Sequence, residues 1–224
     1  MSTLIKSSVL QFLEDVKVNN DRDWFAENKS KYTAAHSNFK KFANGLHDLM
    51  SLQDEIERMK LHRIYRDVRF SKDKTPYNGH FSGSFIRATK WKRGGYYFHI
   101  EPGGSFVGGG FWAPESADLK RIRTEIAGDA EPLRRIIASD DFVNTFGELK
   151  GDQLKTAPQG YDKDHPNIDL LRYKQFLISR NFTDKEVMSE DFAQQIAATF
   201  HHMRPLFDYM SEVLTTDENG VPIE

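Results

Sequence analysis

The sequence predicts an α+β fold: a single domain with a mainly antiparallel sheet of about five strands packed with helices. Three observations carry this. Apolar residues step by three and four near both ends of the chain, as amphipathic helices require. Over residues 58–112 the period drops to two, the spacing of strands. The connections inside that stretch are too short for crossover helices, so neighbouring strands run antiparallel.

Taken in order, Leu4, Ile5, Val9, Phe12, Leu13 and Val16 make one apolar helical face. The polar run Asn19–Asp23 ends it, and Asp23 is placed to cap a short turn through Trp24 and Phe25. A longer helix follows over about residues 30–52, on Tyr32, Ala35, Phe39, Phe42, Leu46 and Leu49. His36 sits at the edge of its stripe and reads as a boundary residue. Lys60–Phe70 then reads as a strand, with Phe81–Ile86, Tyr96–Glu101 and Phe106–Trp112 as its partners. Pro114 suits a helix start, and Leu119, Ile122 and Ile126 give that helix its face. Helices are expected over about 130–138 and after Asp140, then an irregular stretch over Leu149–Pro166 with two glycines and two prolines. A late strand is expected over residues 173–180. Thr183–Glu186 fits a capping box for the C-terminal helices, which Pro205 is expected to kink or divide. The expected domain therefore spans 1–224. Within it, residues 1–56 are helical, 58–112 form the sheet core, 114–148 are helices, 173–180 are the late strand and 183–215 are the C-terminal helices.

Composition narrows the chemistry. The chain has no cysteine, which excludes disulfides, thiolate metal sites and cysteine nucleophiles. No apolar run approaches a membrane span, and the first eighteen residues lack a signal-peptide core, so the expected location is cytoplasmic, with no membrane partner. Net charge is only −2, but it is segregated: Arg58–Arg93 holds eleven Lys or Arg against Asp67 and Asp73. Residues 181–224 hold nine acids against Lys185 and Arg204. Such segregation builds a cleft of one sign that attracts anions, or places an acidic tail beside a basic sheet.

The stretch Arg63–Tyr77 carries the leading candidate site. Read as a strand, it puts Ile64, Arg66, Val68 and Phe70 on one face, where a guanidinium needs a carboxylate or a bound anion. Arg66, Arg69, Lys72 and Lys74 are the expected ligands of an anion, with Tyr77 orienting and Asp67 the weak candidate for a catalytic base. Arg172 and Lys174 share a face of the late strand and join the same anion if the two strands converge. The competing reading is an Arg–Asp network that stitches strand to loop.

Other candidates are weaker. Gly103–Gly110 matches neither a P-loop nor a dinucleotide fingerprint; its glycines imply a close backbone approach, and with Ser82, Gly83 and Ser84 they suit a hollow on the sheet. His99 and Glu101 share a strand face and can chelate with His80 or His62, but an i, i+2 pair is a poor motif and no metal ligand is assigned. The basic loop around Trp91, from Arg87 to Gly95, interleaves aromatic and cationic residues as single-stranded nucleic acid requires, or is a solubilising hairpin tip. No Gly-x-Ser-x-Gly elbow occurs.

Several motifs resemble one bacterial and fungal family, catalogued as domain of unknown function 2461. They are Trp24-Phe25 with Asn28, the run Arg66-Asp67-Val68-Arg69-Phe70-Ser71-Lys72-Asp73-Lys74-Thr75-Pro76-Tyr77, Gly95-Tyr96-Tyr97, Gly108–Pro114, and His165-Pro166 with Leu171-Arg172-Tyr173-Lys174. The resemblance covers almost the whole chain and implies one soluble α+β domain. It transfers no activity, cofactor or catalytic residue.

The functional expectation is therefore a protein that binds an anionic, phosphate-bearing small molecule or nucleotide in a basic cleft on the sheet, with phosphoester or nucleotide chemistry as its reaction class if it is an enzyme. The alternatives are a non-catalytic module binding nucleic acid or protein through the basic face, or charges that are purely structural. Cofactor and oligomeric state are left open.

Overall fold

Five strands, β1 (Ile56–Leu61), β2 (Phe81–Arg87), β3 (Gly95–Ile100), β4 (Phe106–Phe111) and β5 (Phe176–Asn181), form one antiparallel sheet in the order β1-β2-β3-β4-β5. The first four are neighbours in chain order, and β5 joins β4 after a long helical excursion. The α+β class and the five-stranded sheet are those the sequence implies. The computed structural model describes residues 4–217 and 221–223; the rest of the expected 1–224 span lies outside the described residues.

The chain resolves into two compact units. The first comprises residues through Ile86, Tyr97–Val107 and Asn181–Ala198. Its helices α1 (Ser7–Val18) and α3 (Lys29–Ser51) bury Val9, Phe12, Leu13, Phe39, Phe42 and Leu46, the residues whose helical spacing marked them as core. Between them, α2 (Arg22–Glu27) starts at Asp21, whose carboxylate accepts the Trp24 N–H at 2.9 Å. The cap is thus Asp21 and not Asp23, which sits in the first turn. Phe39 packs on Phe81 of β2 and Phe98 of β3, with ring centroids 5.1 and 5.8 Å apart. One sheet face is therefore apolar and covered by helix. Near the end of this unit, α8 (Asp184–Val187) carries both halves of the capping box between Thr183 and Glu186.

The second unit comprises Arg87–Tyr96, Gly108–Arg180 and the chain from Thr199 onward. It contains α4 (Ser116–Gly128), α5 (Glu131–Ala138), α6 (Asp140–Phe146) and α7 (Ile168–Leu171). Helix α9 (Phe192–Thr215) supplies Phe200 and Phe207, which meet Tyr96 at 4.9 and 5.2 Å. Pro205 lies inside this helix without dividing it. It faces solvent, where water can satisfy the carbonyl its missing N–H abandons.

Three sequence expectations are corrected. The strand over Lys60–Phe70 ends at Leu61, and the stretch Arg63–Tyr77 is an irregular loop closed by a single Tyr65–Tyr77 bridge. Local bonds win there: Asp67 accepts the Arg69 N–H at 3.3 Å and Asp73 accepts the Thr75 N–H at 2.9 Å, replacing ladder pairing. The late strand begins at Phe176, because Lys174 N–H is spent on the Asp152 carbonyl at 2.8 Å. Gly83 and Gly109 leave no hollow on the sheet. A Cβ on Gly109 would stand 2.7 Å from both the Gly95 carbonyl and the Phe207 ring, and one on Gly83 would stand 2.5 Å from the Phe98 ring.

Candidate metal centre

Along β3 the side chains alternate. Tyr96, Phe98 and Ile100 are buried, Phe98 against Phe39, so Tyr97, His99 and Glu101 project from the opposite face. The antiparallel partner begins at Phe81, and its preceding residue, His80, falls beside them. The imidazoles of His80 and His99 lie 4.0 Å apart, centroid to centroid. His80, His99 and Glu101 each offer one ligand atom, and these atoms all lie within 4.8 Å of one another.

A hydrogen-bonded frame holds the three. His99 Nε2 and Glu101 Oε2 are 2.8 Å apart, and Tyr97 hydroxyl and His99 Nδ1 are 3.1 Å apart. Glu101 is ionised and accepts only, so in this arrangement His99 donates from Nε2 and Tyr97 donates to Nδ1. Phe106 of β4 stacks on the His99 ring at 4.8 Å. On the far side, Lys17 Nζ lies 3.0 Å from Glu101 Oε1 and donates to the Pro102 carbonyl at 3.1 Å. The Lys17 stem passes over Gly79; a Cβ there would meet its Cγ at 2.6 Å. Further along the same face, His62 Nε2 and Ser84 Oγ are 2.9 Å apart.

The electrostatics favour neutral imidazoles and an ionised carboxylate. Burial, and then the neighbouring His99, push His80 down to about 4. Burial also lowers His99, against an opposing hydrogen bond to Glu101. Burial alone would raise Glu101, but its bonds to His99 and Lys17 prevail and hold it below the usual range. Neutral imidazole and carboxylate are the protonation states in which these groups bind metal. Two imidazoles and one carboxylate suit zinc, and equally iron, nickel or cobalt.

The residues expected to bind an anion are placed differently. Arg66 donates to Asp73 Oδ2 at 2.5 Å, to the Thr75 carbonyl at 3.1 Å and to the Thr75 hydroxyl. Arg69 grips Asp67 with three side-chain bonds, of 2.6, 2.9 and 3.3 Å, and Lys74 donates to the Val68 carbonyl at 2.9 Å. Lys72 is exposed. Tyr77 is only 7% exposed, stacked on Phe25 at 4.0 Å and held by Asn20 through its backbone. It anchors the loop. These six residues belong to the first unit, whereas Arg172 and Lys174 belong to the second. There Arg172 donates to the Lys155 carbonyl, and Lys174 pairs with Asp152 at 3.5 Å. In the loop around Trp91, Arg87 pairs with Asp208 at 2.5 Å and Arg93 with Asp118. The loop cations are thus largely engaged by the chain itself.

In the sequence His99 and Glu101 are legible as a pair and His80 only as an alternative to His62, whereas Lys17 and Tyr97 carry no signal as their partners. The signal of a shared face is alternation: Tyr97, His99 and Glu101 are polar at every second position of a strand whose other positions are apolar.

No helix among the described residues is long and apolar enough to cross a membrane. No curated protein and no solved structure matches the chain. The family model described as "Conserved hypothetical protein (DUF2461)" matches residues 8–209. That match spans nearly the whole sequence, and the chain belongs to this family.

Proposed function

We propose that this protein binds a divalent transition-metal ion through His80, His99 and Glu101 on the polar face of its sheet. The observation that carries the reading is the convergence of three ligand atoms within 4.8 Å from residues that sequence separates by up to twenty-one positions. Their surroundings support it. Phe106 and the flanking strands limit water, Tyr97 meets the ring nitrogen of His99 remote from Glu101, and Lys17 meets the outer oxygen of Glu101. Metal-ligating residues need such outer partners to fix tautomer and orientation. His99 must move its proton from Nε2 to Nδ1 on loading, with Tyr97 turning from donor to acceptor. Three protein ligands leave a position for water or substrate, as in catalytic zinc sites.

Anion or nucleotide binding by Arg66, Arg69, Lys72, Lys74, Arg172 and Lys174 would require displacing Asp67, Asp73 and Asp152 from several of these cations, so it is the lesser reading. A nucleic-acid or protein interface on the basic face carries the same cost. The protein is read as acting in the cytosol, as one functional domain, with the absence of cysteine in its support.

Equilibrium dialysis of untagged, chelator-stripped protein against zinc, cobalt and nickel tests the proposal. About one equivalent is expected, with affinity reduced at least tenfold in His99→Ala and in Glu101→Gln. Binding that survives both substitutions overturns it.

A further inference from the structure

We infer that the loaded site takes an oxyanion, a phosphate or carboxylate group, as its outside ligand, and that Lys17 sets the charge balance that draws it there. The inference rests on the metal reading and adds a substrate class to it. Among the described residues the ligand group contains a single carboxylate, Glu101, and Lys17 already neutralises it through the 3.0 Å contact to Oε1. The other two ligands are imidazoles. A divalent ion therefore arrives at a site whose own charges cancel, and its +2 is left for an outside ligand to meet. Sites that supply two or three carboxylates satisfy the ion themselves; this one does not.

The geometry fixes which oxygen of Glu101 is available. Lys17 Nζ is held between Oε1 and the Pro102 carbonyl, and its stem is seated over Gly79, immediately before His80. Glu101 is left with Oε2, 2.8 Å from His99 Nε2, as its ligating atom. One-oxygen ligation leaves coordination positions that a two-oxygen clamp would fill.

The test uses the cobalt-loaded protein, whose visible absorption responds to a change of metal ligand. Cobalt is titrated first, then methylphosphonate and, separately, acetate; these two arms distinguish a phosphate-type from a carboxylate-type ligand. Wild type is expected to bind cobalt and then change its spectrum with at least one of the two. Lys17→Met keeps the aliphatic stem and removes the charge. It is expected to bind cobalt about tenfold tighter and the oxyanion about tenfold weaker, because one positive charge is withdrawn from both partners' surroundings. Lys17→Arg is expected to restore both values toward wild type. A merely structural lysine moves both affinities downward together, and that result overturns the inference. So does a wild-type cobalt complex that ignores both anions, whatever the variant does. Failure of wild type to bind cobalt is a different outcome, and removes the metal reading and this inference with it.

Discussion

The imidazoles of His80 and His99 face one another with ring centroids 4.0 Å apart and planes 33° from parallel. Two imidazolium ions at that distance repel strongly, and His99 is buried and His80 half-buried, so the metal-free pair is held neutral. His80 ends the loop before β2 and His99 lies near the end of β3; the strand pairing alone brings them together.

Stability of the metal-free protein is expected to fall with pH because of that pair. His80 is lowered from 6.5 to about 4 by burial and by His99. The unfolded chain therefore takes up a proton first as pH falls, so the favourable contribution is complete above about 6.5 and lost progressively down to about 4. Urea unfolding of wild type and His80→Asn at several pH values checks this. The wild type should lose stability relative to the variant between pH 6.5 and 4, and a pH-independent difference would refute it.

Asp73 is expected to titrate far below an ordinary aspartate. The Thr75 N–H, then Arg66, then the Thr75 hydroxyl hold its carboxyl at about 2. In Arg66→Met the value should rise but stay below 3.8, because the backbone bond persists. A carboxyl-detected NMR titration reads it directly. If Asp73 stays at about 2 in the variant, Arg66 is not its partner in solution.

Removal of Asp208 takes a carboxylate partner from a buried cation. The Arg87 side chain is 1% accessible and donates to Asp208 Oδ1 at 2.5 Å and to the Arg93 carbonyl at 3.0 Å. Asp208→Ala is expected to cost about 1.5–3 kcal/mol, the range for hydrogen bonds to charged groups. Urea denaturation measures the loss, and a change below about 0.5 kcal/mol would show the pair to be an ordinary surface one.

Gly110 and Gly103 separate two reasons for glycine. Both have positive φ, 128° and 69°, but a Cβ on Gly110 would fall on the Phe176 carbonyl oxygen, whereas one on Gly103 meets nothing within 4 Å. Gly103→Ala should cost only the left-handed penalty, about 1–2 kcal/mol. Gly110→Ala must also push β5 away from β4 and is expected to cost more than about 4 kcal/mol or to prevent folding. Thermal unfolding and soluble yield distinguish them.

The fold was legible where one period ran long enough to decide. Phe12, Phe39, Phe42 and Leu46 marked their helices, and Thr183 with Glu186 marked a cap, because those signals are local. The stretch after Arg63 misled for a physical reason. Ile64, Val68 and Phe70 mimic a buried row around Arg66, but only Ile64 is buried and Phe70 is 96% exposed. Short Asp side chains there turn the backbone on itself, which alternation cannot report. The His80 contribution was not fixed by sequence because it depends on cross-strand register; a slip of one residue would send His99 and Glu101 to the helix-covered face. Lys17 was hidden further still, since its reach to Glu101 needs the packing of α1 and the missing side chain at Gly79.

The most direct test of the account is an anomalous difference map recorded at the zinc absorption edge from crystals of the untagged protein grown with zinc. A peak is expected bonded to an imidazole nitrogen of His80, His99 Nε2 and Glu101 Oε2, each at about 2.0–2.2 Å. Zinc bound only at other surface positions, with His99 still donating to Glu101, would contradict it.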